Sequence, residues 1–92
     1  MLIGTLRMHL MIPESRSLKE KRQVISSIKD RLRNHFNISI AEVDAQDHRQ
    51  LAVLGVAMVS NESVHLRKAL SQVVEFVRCH PVAQLLDYQL EV

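Results

Sequence analysis

Cys79 and His80 are the two side chains that could together do nucleophilic chemistry, a thiolate activated by an imidazole. They are adjacent in sequence, and neighbours at a helix end project about 100° apart, so no nucleophile–base contact is implied. Cys79, the single cysteine, reads as a buried small hydrophobe. The five histidines show neither HxxxH nor HxH spacing, so no metal-ligand pattern emerges. Glu42, Asp44, Asp47 and His48 gather around one polar turn, where solvated charge is the simpler account. Gly4 and Gly55 lie inside apolar runs, which leaves no Gly-rich loop to cradle a phosphate. A small hydrolase of the acylphosphatase kind would need such a loop with an arginine on it. No cofactor is implied, and the reading is not an enzyme.

What remains is charge. Residues 15–33, SRSLKEKRQVISSIKDRLR, carry seven Lys or Arg against Glu20 and Asp30. Residues 1–36 hold eight cations and three acids, net +5, and residues 37–92 four and seven, net −3. At 100° per residue, Lys19, Arg22, Lys29 and Arg33 fall within an arc of about 80°, with Arg16 in the loop before them. Such a stripe can align with phosphates and release their counterions, giving salt-dependent affinity without reading sequence. An ordinary solvated helix face is the competing account. Lys21 differs, because it shares its spacing with Ile25, Ile28 and Leu32 on the apolar stripe. It is expected to snorkel, its stem on apolar surface and its ammonium escaping at the edge. The alternative is an ammonium held near residues 13–17, ready for an anion. The candidate nucleic-acid contacts are therefore Arg16, Lys19, Lys21, Arg22, Lys29 and Arg33.

The elements that hold these residues follow from periodicity. Residues 2–12 alternate on period two, and Pro13 ends that strand. Ser17 and Glu20 have capping-box spacing, and Leu18, Val24, Ile25, Ile28, Leu32 and Phe36 recur as in a helix over about 18–35. A second strand spans 37–45, with Ile38 and Ile40 on one face and Ala41 and Val43 on the other. LAVLGVAMV, 51–59, is apolar at both parities, the mark of a central strand. Ser60 or Asn61 caps a second helix that places Glu62 in its first turn and stops by His80, before Pro81. In the last stretch, 83–92, Leu86, Tyr88, Leu90 and Val92 point inward. The order β-α-β-β-α-β predicts an α+β, ferredoxin-like plait: a four-stranded antiparallel sheet, strands one and three central, with both helices on one face.

With 92 residues, 47% hydrophobic and 24% charged, one domain spanning 1–92 is expected. One cysteine permits no intrachain disulfide, Arg7 and His9 interrupt any signal-like run, and nothing approaches the roughly 20 apolar residues of a membrane span. A soluble cytoplasmic protein is the reading. The face of the sheet without helices lacks the aromatics on which RNA-recognition motifs stack bases, since Phe36, Phe76 and Tyr88 are the only three. Its aliphatic half invites a homodimer formed sheet to sheet.

IPESRSLKEKR, RLRNHFNISIAEVDAQD and LGVAMVSNE together resemble the YlxP-like proteins, the bacterial domain-of-unknown-function family 503, over nearly the whole chain. The resemblance implies a ferredoxin-like fold and supplies no catalytic residues. It also implies an RNA- or ribosome-linked setting, because genes of this family often lie among those for transcription termination, translation initiation and ribosome maturation. Two functions follow as expectations: an RNA- or ribosome-associated factor binding through the basic helix, or a homodimeric protein-interaction module.

Overall fold

A computed structural model describes residues 1–92. Its elements are β1 (Leu2–Met11), α1 (Leu18–His35), β2 (Ser39–Asp44), β3 (Leu51–Ser60), α2 (Ser63–Arg78) and β4 (Gln84–Glu91). The strands form one antiparallel sheet in the order β2-β3-β1-β4, with β1 and β3 in the middle as predicted. Leu6, Met8 and Leu10 of β1 and Ala52, Leu54 and Val56 of β3 share a core with Ile25, Ile28 and Leu32 of α1 and Leu66, Leu70, Val73 and Val77 of α2. Gly4 lets α2 come close, for a Cβ there would lie 2.8 Å from Leu70 Cδ1.

Local chemistry accounts for the helix ends. Ser17 Oγ accepts the Glu20 N–H at 3.1 Å, while Glu20 Oε2 accepts the Arg16 N–H at 2.6 Å, one residue before the cap. The second helix starts later than the spacing predicted. Glu62 is its N-cap residue, without a side-chain cap bond, and Ser60 Oγ instead accepts the Glu62 N–H at 3.2 Å.

Two bulges correct the strand readings. Between β1 and β4, His9 pairs with Asp87 but Leu10 with Leu85, which leaves Leu86 as an extra residue. Leu85 and Leu90 therefore pack on the core, and Leu86, predicted inward, is 54% exposed. Tyr88, on the edge strand β4, and Val92, just past its end, are exposed too. In β2 the register slips between Glu42 and Asp44, with Val43 the extra residue. Glu42 and Asp44 thus leave opposite faces of the sheet: Glu42 is opposite the core residue Leu54, and Asp44 is opposite Val53.

Candidate nucleic-acid interface

Lys21 does not snorkel. It is fully buried, in the first turn of α1, beside the tip of the β2–β3 hairpin. Its Nζ donates to the carbonyl oxygens of Ala45 at 2.8 Å, Leu51 at 3.0 Å and Gln46 at 3.4 Å. Glu42 Oε2 lies 2.9 Å away, enclosed but outside hydrogen-bond geometry, so it contributes charge rather than a directed bond. The stem of Lys21 is long enough to reach the hairpin but not water, and the hairpin closes over it. Ala45 adopts the left-handed conformation (φ 58°), the single non-glycine residue to do so. That strain is held in place by its carbonyl, which takes both Lys21 Nζ and the His48 N–H at 3.0 Å.

The same clamp draws two loops together. Gln50 Nε2 donates to the Pro13 carbonyl at 3.2 Å, and the Ile12 N–H donates to the Gln50 carbonyl at 2.8 Å. The hairpin turn that carries exposed Arg49 therefore sits beside the loop that carries exposed Arg16. Sequence reasoning missed Arg49, because 33 residues separate it from Arg16 and no periodicity links a turn to a distant loop.

The remaining predicted contacts lie outside. Arg16, Lys19, Arg22 and Arg33 are exposed and Lys29 is half-buried. Arg33 is engaged: its Nη2 donates to the Ile40 carbonyl at 3.0 Å, and its Nη1 is 3.7 Å from Asp30. The arc therefore leans over the β2 edge rather than pointing straight away from the sheet. The charged groups of Arg16, Lys19, Arg22 and Lys29 have no carboxylate within 4.0 Å, since the four ion pairs of the molecule involve other cations. Helix formation puts Lys19, Arg22 and Lys29 side by side, with Arg16 in the loop before the cap, while Lys21, next to Arg22 in sequence, turns inward.

The competing sites dissolve in three dimensions. Asp44 pairs with Arg7 at 3.4 Å on the open sheet face, Glu42 faces Lys21, and His48 Nδ1 accepts the Gln50 and Leu51 N–H groups. No group of three His, Cys, Asp or Glu is placed to hold a metal. Cys79 is exposed rather than buried, because it is the C-cap of α2, past Val77, the last residue of that helix in the core; no hydrogen bond joins it to His80, whose Nδ1 accepts the Val82 and Ala83 N–H groups at 3.2 Å each. Burial and the nearby Arg31 charge lower the His80 pKa from 6.5. Phe36 and Phe76 are partly buried in the core, so the open sheet face offers no stacking platform. No helix is long and apolar enough to cross a membrane.

Comparison with known proteins agrees with this architecture. The fold is similar to that of a de novo designed protein, LFR1 1, with a ferredoxin fold (TM-score 0.58, 10% identity, covering 100% of this chain and 87% of that one). The sequence is 39% identical over 80 residues to "Uncharacterized protein YlxP" of Bacillus subtilis (strain 168), covering 87% of each chain. Residues 3–90 match the family described as protein of unknown function DUF503. With nearly the full length matched and the plait in place, the chain belongs to the DUF503 family.

Proposed function

We propose that this protein is a cytoplasmic, non-enzymatic factor that docks on structured RNA or a ribosomal particle through Arg16, Lys19, Arg22, Lys29 and the outer edge of Arg33. The observation that carries this reading is a set of three neighbouring cations on α1, with Arg16 just before it, whose charged groups have no acidic partner, on a helix whose other side is locked into the core. Arg49 extends the same positive end across the clamped loops. Lys21 is removed from the contact set and given a different part, that of fixing the platform. Recognition goes by charge and shape, since no aromatic lies within the arc. Each phosphate contact adds about −0.7 to −0.9 to the slope of log K against log salt, so three or four contacts give a slope of about −3.

The test is a Lys19→Glu/Arg22→Glu/Lys29→Glu variant, measured for binding to ribosomal particles and structured RNA at two salt concentrations. Arg33 is left alone because its bond to the Ile40 carbonyl would mix stability into the result. A folded variant that loses sedimentation with the particle supports the reading, and unchanged binding overturns it.

A second reading rests on a different face. Ile3, Val43 and Val59 are exposed on the open side of the sheet, around a shallow hollow of about 410 Å³ floored by Ala41, Gly55 and Ala57. The occupant we propose is a second copy of this chain. Register puts Arg7 near the centre of this face and Asp44, Asp87 and Glu91 on the flanking strands, an arrangement that a two-fold axis makes self-complementary. Four strands about eight residues long present roughly 500 Å² per copy, about 1,000 Å² for a pair, the floor for a specific interface. A weak dimer is therefore expected, and light scattering at micromolar concentration that shows only monomer for both wild type and Val59→Lys removes it.

A further inference from the structure

The opposite flank of α1 carries a second, smaller collection of donors. Gln23, Ser27 and Arg31 recur every four residues, about 160° around the helix from the centre of the basic arc for Arg31. They form one wall of a groove whose other wall is His80, Pro81 and Val82, the connection between α2 and β4. The groove has two adjoining hollows of about 340 and 400 Å³ that share Arg31, His80 and Pro81.

Two strong donors in it lack acceptors. Because His80 Nδ1 already accepts two backbone N–H groups, the neutral ring carries its proton on Nε2, and that N–H has no partner. The Arg31 guanidinium donates to nothing and has no carboxylate within 4.0 Å. The other titratable groups lining the groove are His35 on α1, Glu75 on α2 and Cys79 at the C-cap of α2. Glu75, the one carboxylate, is turned to Arg78 at 2.9 Å, and His35 Nδ1 bonds the Arg31 carbonyl at 2.8 Å. The groove is therefore left positive, with donors on both walls.

We propose that this groove is a phosphate site: Arg31 offers its fork to two oxygens of a tetrahedral oxyanion and His80 Nε2–H bonds a third from the opposite wall. A carboxylate has only two oxygens and satisfies the fork alone, which is why a tetrahedral anion fits better. The third bond calls for a terminal phosphate, free or a monoester, because a nucleic-acid diester has just two non-bridging oxygens, and the test separates the two.

The test uses the full chain, titrated with inorganic phosphate and followed by NMR, with sodium chloride at matched ionic strength as control. Saturable shifts are expected at the Arg31 side chain, the His80 ring and the Val82 and Ala83 amides, with an affinity of about 1 mM. The midpoint for His80 protonation rises in phosphate, because a bound anion offsets the Arg31 charge. Arg31→Gln weakens phosphate binding at least about tenfold. His80→Asn, a second variant, weakens it while far-ultraviolet circular dichroism stays native. A nucleoside monophosphate that binds where a dinucleotide diester does not supports the three-oxygen geometry, and the reverse overturns it. Shifts that chloride reproduces, or that persist unchanged in Arg31→Gln, overturn the proposal. The Lys19/Arg22/Lys29 variant keeps this site intact, so its failure and that of the RNA reading are told apart.

Discussion

Lys19, Lys21 and Arg22 occupy one turn of α1, yet they live in different solvents. Lys21 is sealed against three carbonyls and a carboxylate, whereas Lys19 and Arg22 stand in water with no partner. A buried ammonium has lost its hydration and survives only because every proton finds an oxygen. An exposed one keeps its hydration and its charge remains available to something else. The comparison teaches that a run of cations is not a single feature: one member is bonded into the scaffold and its neighbours stay exposed and unpaired.

The largest effect should come from Lys21→Met. It takes the ammonium from the Ala45 and Leu51 carbonyls and from Glu42, leaving the Ala45 carbonyl with the His48 N–H, and is expected to cost about 3–5 kcal/mol, as when one member of a buried pair is removed. Urea unfolding measures it, and Lys19→Met, two residues away, is the control expected to stay within about 0.5 kcal/mol. Equal losses in the two variants would erase the comparison. Glu42→Gln comes next, at about 1–3 kcal/mol, because it keeps the shape and removes only the charge beside Nζ. A Glu42→Gln loss as large as that of Lys21→Met would mean that the carboxylate, and not the carbonyls, holds the ammonium.

The smallest effect concerns the other loop-locking ring. In the folded chain the His80 pKa lies below 6.5, through burial and then Arg31, so the unfolded chain takes up the proton first as pH falls. The His80 contribution is fully present above pH 6.5 and is lost as pH drops through the lowered folded value. His80→Asn should therefore flatten the decline in stability below pH 6.5, and a curve identical to wild type would remove His80 as its source.

Much of this molecule was legible from periodicity. Alternation in residues 2–12, the doubly apolar run 51–59 and the helical spacing after Ser17 are local patterns, and local patterns imply the plait. The failures are also physical. Leu86 was misread because a bulge inserts one residue and changes the face on which period two restarts. Lys21 was misread because its spacing shows which side it faces, not whether oxygens wait there. Those oxygens come from Ala45, Gln46 and Leu51, at least 24 residues away.

Chain order, element type, the charge asymmetry between the two halves and the alignment of Lys19, Arg22, Lys29 and Arg33 are properties of neighbours in the chain, and the sequence contains them. The fate of each cation is a property of what the fold brings against it. The enclosure of Lys21, the nearness of Arg49 to Arg16 and the placing of Arg31 and His80 on one groove arise when distant segments meet. Burial and hydrogen bonding act through space, and no spacing along the chain encodes them.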